Sequence, residues 1–120
     1  MTALARLSTV VLDCADPESL AEFYRKATGW EVTYRDADAV TLGDGGPIQL
    51  GVQRVAGYEG PGWPDPAKHA HLDFAVADLA AAERELRALG AARPEFQPGA
   101  GDWVVLTDPA GHPLCLIADS

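Results

Sequence analysis

A strand-and-cap run occurs twice in this chain, and that recurrence narrows the folds open to it. Residues 9–16 align without a gap on residues 71–78, and each run ends in an aspartate, Asp16 or Asp78, that opens a helical pattern. In the first run Val10, Leu12 and Cys14 alternate with Thr9, Val11 and Asp13. In the second, Leu72, Phe74 and Val76 alternate with His71, Asp73 and Ala75. Alternation of period two describes a strand with one apolar face. Asp16 and Asp78 suit an N-cap, where a carboxylate accepts from the unpaired N–H groups of the first turn. Pro17 stands at the first helical position, where a missing N–H is no loss, and the macrodipole favours Glu18 behind it. Leu20, Phe23, Tyr24 and Ala27 fall at helical spacing and form the expected buried stripe. Gly29 and Gly90 supply the left-handed residue that ends each helix, 13 positions after the first cap and 12 after the second.

The remaining pieces fall into the same order in each half. The first strand is expected over 7–14, with strands over 30–34, 39–42 and 48–53 after the first helix. The turns lie at Asp36-Ala37-Asp38 and at Gly43-Asp44-Gly45-Gly46-Pro47. Residues 56–68 hold Gly57, Gly60, Pro61, Gly62, Pro64 and Pro66, a loop long enough to be functional or a linker. The second half repeats the order: a strand over 71–76, a helix over 79–89, and strands near 91–96, 103–107 and 113–118, with a turn at Asp108-Pro109-Ala110-Gly111. The fold class expected is α+β, two tandem βαβββ modules in a single domain. Module one runs over 7–55, the linker over 56–68 and module two over 69–118. A half with one helix and one half-covered sheet leaves a face open, so the open faces must meet something.

Composition excludes more than it identifies. The chain has 120 residues, the size of one domain, with 18 acidic against 9 basic residues and a net charge of −9. That field disfavours nucleic acid and anionic membrane surfaces. No apolar run reaches the length of a membrane span, and residues 1–6 lack a signal-peptide layout, so a cytoplasmic protein is expected. Cys14 and Cys115 are too few for a disulfide scaffold and sit on opposite faces of their strands, so both thiols are expected to be reduced.

The apolar faces, Val10/Leu12, Ile48/Leu50/Val52, Leu72/Phe74/Val76 and Leu114/Leu116, are expected to pack under the helices. The opposite faces carry Thr9, Asp13, Gln49, Gln53, His71, Asp73 and Cys115. Those residues are too polar for a sealed core without partners, which points to a solvent- or ligand-filled cleft.

Three stretches resemble the vicinal oxygen chelate superfamily, which includes glyoxalase I, bleomycin-resistance proteins and extradiol dioxygenases. The run 11–16 followed by Phe23-Tyr24 and Gly29-Trp30 is similar to the family's opening strand, cap and helix. His71-Leu72-Asp73-Phe74-Ala75-Val76-Ala77-Asp78 resembles its "HxxFxVxD", and Asp108-Pro109-Ala110-Gly111-His112-Pro113-Leu114-Cys115-Leu116 its "DPxGxxxEL". The wording of the last two resembles the glyoxalase-like domain branch. The resemblance implies paired βαβββ modules around a cleft, and in the enzymes a divalent metal held by up to four side chains. Carried across, the metal positions are Thr9, Gln49, His71 and Cys115. Only His71 matches the His and Glu residues usual there. Thr9 is a poor ligand, Gln49 offers one neutral oxygen, and Cys115 replaces a carboxylate with a soft sulfur. No cofactor is therefore favoured. A divalent metal is the lesser expectation, with Asp13 or Asp73 able to complete a shifted site.

The leading expectation is a small-molecule-binding protein that sequesters a hydrophobic or aromatic metabolite or antibiotic. Its cleft would be lined by Gln49, His71, Asp73, Trp103 and Cys115, with Trp63 over the mouth. The alternative is an enzyme, a lyase, isomerase or dioxygenase relative, using His71 with Asp73 or a degenerate metal site. A third class is an interaction module whose cleft is filled by side chains. Structural roles compete at each position. His71 can be a buried histidine bonded to Asp13 or Asp73, Gln49 and Gln53 can bond each other, Cys115 can be inert filler, and Trp30 can pack in the core. Side chains two apart on a strand lie side by side, which weakens His71/Asp73 as an acid–base pair. A homodimer is expected; a closed monomer and a module-exchanged dimer fit the loop equally.

Overall fold

The structure, a computed structural model, describes residues 3–60 and 62–118. The chain divides into two compact units, Met1–Tyr58 and Glu59–Ser120. The first unit runs β1 (Thr9–Cys14), α1 (Pro17–Thr28), β2 (Glu31–Arg35), β3 (Ala39–Gly43) and β4 (Gln49–Arg54). The second runs β5 (Leu72–Val76), α2 (Leu79–Ala88), β6 (Trp103–Thr107) and β7 (Pro113–Ala118).

The sheet of the first unit has the order β1-β4-β3-β2, with β1 parallel to β4 and the other pairs antiparallel. The capping chemistry is as expected. Asp16 accepts from the backbone N–H of Ser19, Pro17 opens α1, and Gly29 closes it at φ +74° with its N–H donated to the carbonyl of Arg25. The helix lies on β3 and β4. Leu20, Phe23 and Tyr24 are buried against Val40, Leu42, Leu50 and Val52 as the core of this unit. Three positions differ from expectation. Ala27 is exposed and Ala21 is buried in its place, because Pro17, Leu20, Ala21 and Tyr24 form the i, i+3, i+4, i+7 stripe that meets the sheet. Ile48 is 40% exposed, since β4 begins only at Gln49, after the glycine turn and Pro47. β1 likewise begins at Thr9, leaving Leu7 exposed outside it.

The second unit keeps the same order with one strand fewer: β5-β7-β6, with β5 parallel to β7. Asp78 caps α2 by accepting from the N–H of Ala81, and Gly90 follows the helix at φ +119°. Val104, Val105, Leu106, Leu114 and Leu116 are its buried centre. The strand expected near 91–96 is absent; Ala92 alone bridges to Thr107 at the free side of β6. Pro94 has no N–H to give a ladder, and Pro98 stands just beyond. The side chain of Gln97 takes the missing strand's role. It accepts from the N–H of Val105 at 2.9 Å and donates to the carbonyl of Val105 at 2.8 Å. The expectation that Leu72, Phe74 and Val76 pack under a helix is also corrected. α2 lies on β6 and β7, all three residues are only half-buried, and no residue of α2 is fully buried. Among the described residues no helix is long and apolar enough to cross a membrane.

Candidate functional site

The site candidates divide between the two sheets. In the first unit Thr9 stands opposite Gln49 in the register of β1 and β4. The Gln49 side chain lies over Gly43, whose missing Cβ leaves the room, and its Oε1 accepts from the hydroxyl of Thr33. Gln49 is thus bonded to Thr33 rather than to Gln53, the partner weighed from sequence. Cys14 and Cys115 are both buried and form no disulfide.

In the second unit the register arranges the candidates in rows. Asp73 pairs with Cys115, and Cys115 with Val105, so these three share one row across β5, β7 and β6. Ala75, Ile117 and Trp103 form the next row on the same face. His71 precedes the strand by one residue and falls on that face too. Not being held in the ladder, its imidazole turns toward Asp73: Nε2 is 3.3 Å from Oδ1. The side-by-side placement expected from sequence is therefore corrected to a contact. Donor atoms of His71, Asp73 and Cys115 all lie within 4.8 Å of one another. His71 and Asp73 have 43% and 54% of their side chains exposed, whereas Cys115, on the central strand, is 5% exposed.

Burial is the main cause that pushes the Cys115 thiol above its ordinary pKa, and the negative charge and hydrogen bond of Asp73 push it the same way. Both effects favour the protonated, less nucleophilic thiol. Asp73→Asn removes the charge and should move the onset of Cys115 alkylation to lower pH. Iodoacetamide labelling against pH, read by peptide mass, measures this; an unmoved onset would show that the thiol does not sense Asp73.

The tryptophans have their own settings. Trp63 stacks on Phe96 with ring centroids 6.2 Å apart, donates its indole N–H to the carbonyl of Phe96, and lies under the ammonium of Lys68 at 4.6 Å. Phe96 and Lys68 carry no periodic signal, and the sequence reading missed them. Trp103 is half-buried, with its indole against Gly99, where a Cβ would collide with the ring. Trp30 is half-buried.

The DPxG stretch has a structural explanation. Asp108 is 3% exposed, and its Oδ1 accepts from the N–H groups of Ala110 and His112. Gly111 sits at φ +94°, and its carbonyl accepts from the N–H of Gly62. The turn thus ties the Pro/Gly loop to the end of β6.

A family model described as "Glyoxalase-like domain" matches residues 9–117. The chain belongs to the glyoxalase-like domain family. That places it in the vicinal oxygen chelate superfamily, and solved structures agree on the fold. A glyoxalase-related enzyme from Fulvimarina pelagi is 22% identical, with a TM-score of 0.70 over 97% of this chain and 89% of that one. A glyoxalase/bleomycin resistance protein/dioxygenase family enzyme from Burkholderia phytofirmans PsJN is 18% identical, with a TM-score of 0.73 over 95% and 98%. A glyoxalase family protein from Enterococcus faecalis is 19% identical, with a TM-score of 0.69 over 95% and 98%. No curated protein matches the chain in sequence.

The four-position metal set of the family does not fit these residues. Thr9 offers a neutral hydroxyl, and Gln49 offers one neutral amide oxygen, which accepts from Thr33. Neither carries the charge or basicity that a divalent ion draws from a carboxylate or imidazole.

Proposed function

We infer that this glyoxalase-like protein binds a small molecule on the face of the second sheet that carries Asp73 and Trp103 and works without the family's four-position metal. One observation carries the reading. An exposed imidazole and carboxylate, in contact with each other, share a sheet face with a half-buried indole, Trp103. Polar groups that fix orientation beside an aromatic surface make up the usual binding-site composition. An aromatic or hydrophobic metabolite or antibiotic suits it: the indole supplies area, and His71 and Asp73 supply the polar anchors.

The test is a fluorescence screen of planar aromatic and hydrophobic compounds, run with a chelator present. A ligand should quench tryptophan emission, and Trp103→Phe should remove most of the change. Finding no quenching ligand, or quenching untouched by Trp103→Phe, would sink the reading. The 3.3 Å contact of His71 with Asp73 supports a second reading, an enzyme in which the imidazole moves a proton and the carboxylate orients it. In that case His71→Ala abolishes turnover while quenching persists.

A further inference from the structure

We propose that one face of α2 binds the oxyanion head group of a small molecule, a phosphate or a carboxylate, between Arg84 and Arg87. A concavity of about 370 Å³ opens there, lined by Ala80, Glu83, Arg84 and Arg87. Positions 80, 83, 84 and 87 follow the i, i+3, i+4, i+7 spacing of one helical stripe, so a single helix sets all four side chains next to one another. The volume lies at the lower end of small-molecule sites.

Charge sets this stripe apart from the molecule as a whole. Its one carboxylate, Glu83, is largely buried and shared by two guanidiniums, with Arg87 at 3.3 Å on one oxygen and Arg93 on the other. Arg84 is exposed and makes no ion pair or hydrogen bond among the described residues. Its neighbours at helical spacing are Ala80, Ala81, Arg87 and Ala88, and none of them supplies a carboxylate. Three guanidiniums thus stand against one carboxylate, a local surplus of positive charge on a protein whose net charge is −9. A polyanion would meet the negative field of the whole surface, whereas a single small anion meets the local surplus. The donors suit an oxyanion. A guanidinium presents five N–H groups in a planar fork that matches two oxygens of a carboxylate or phosphate. Glu83, held by Arg93, orients Arg87 beside the concavity and occupies only part of its fork. Arg84 brings its whole fork to the same place.

The site shares no residue with the face that carries Asp73 and Trp103, so it goes beyond the ligand reading above and fails separately from it. The experiment is an NMR titration of the isotope-labelled, tag-free chain with pyrophosphate and, separately, with citrate, at low ionic strength. The expected result is saturable movement of the backbone amides of residues 80–87 and of the Nε–H signals of Arg84 and Arg87, weakening as salt is added. Arg84→Gln should lower affinity about tenfold, the size of one charge-assisted hydrogen bond. Arg84→Lys keeps the charge and loses the fork, so its affinity should fall between those two proteins. Arg25→Gln, which removes a cation paired with Glu22 on α1, should leave binding unchanged. Binding of either probe upholds the site, and the tighter one identifies the head group. No saturable movement with either probe, movement centred outside residues 80–87, or unchanged affinity in Arg84→Gln would overturn it. So would an Arg84→Lys variant that binds as tightly as the wild type, because diffuse attraction would then account for the binding.

Discussion

Asp108→Ala is expected to lower the free energy of unfolding by about 3–4 kcal/mol, a large share of the stability of a chain this size. The carboxylate closes the turn between β6 and β7 from inside. Its Oδ1 accepts from Ala110 at 2.8 Å and His112 at 3.0 Å, while the backbone of Asp108 exchanges bonds with Gly111 and His112. Hydrogen bonds to a charged acceptor contribute about 1.5–3 kcal/mol each, and alanine would leave two N–H groups without this acceptor in a half-buried turn. Asp108→Asn separates the bonds from the charge. An amide oxygen still accepts twice, so the loss should fall to about 1 kcal/mol. Urea unfolding at constant slope measures both variants. An alanine variant as stable as the asparagine one would show that the turn stands without the side chain.

The parts of the fold that could be read from sequence are those fixed by local chemistry. Asp16 and Asp78 as caps, Gly29 and Gly90 at positive φ, and the alternating faces of β1 and β5 each depend on residues within one turn or one strand. The repeat added the order of the elements, and both sheets follow it. The failures are non-local. Ala27 and Ile48 have the right spacing for burial, but what lies opposite them decides their exposure. The 91–96 segment reads as a strand by its position in the repeat, yet Pro94 cannot join a ladder, and only a tertiary partner could show how β6 is completed.

The site divides along the same line. His71 and Asp73 were visible because they are two residues apart on a recognisable strand. That Asp73 rather than His71 opposes Cys115 depends on how β5 registers against β7, more than 40 residues away in sequence, and no periodicity in either strand contains it. Gln49 was read as a cleft residue from its face alone. The hydrogen bond that its Oε1 accepts from Thr33 across β3 depends on the sheet order. Phe96, the partner of Trp63, lies in a segment with no regular structure and so no pattern to announce it.

Gln97→Leu should destabilise the protein by about 3 kcal/mol with little change in volume. Val105 is fully buried, and Gln97 alone is bonded to both its N–H and its carbonyl on the side where a fourth strand would lie. Leucine leaves that pair buried without partners, at about 1–3 kcal/mol for each group, and releases the carbonyl of Pro94 as well. Gln97→Glu is the sharper test. A carboxylate still accepts from the N–H of Val105 but cannot donate, so it places negative charge against the carbonyls of Val105 and Pro94. It should therefore lose about as much as leucine at neutral pH, and regain part of that on acidification, when a protonated carboxyl can donate once. Hydrogen exchange at the Val105 amide distinguishes the two variants, with strong acceleration in leucine and less in glutamate. Equal protection in wild type and Gln97→Leu would mean that the edge of β6 is satisfied without this side chain. The substitution of one amide for a strand would then be incidental, and the truncated second sheet would need another explanation.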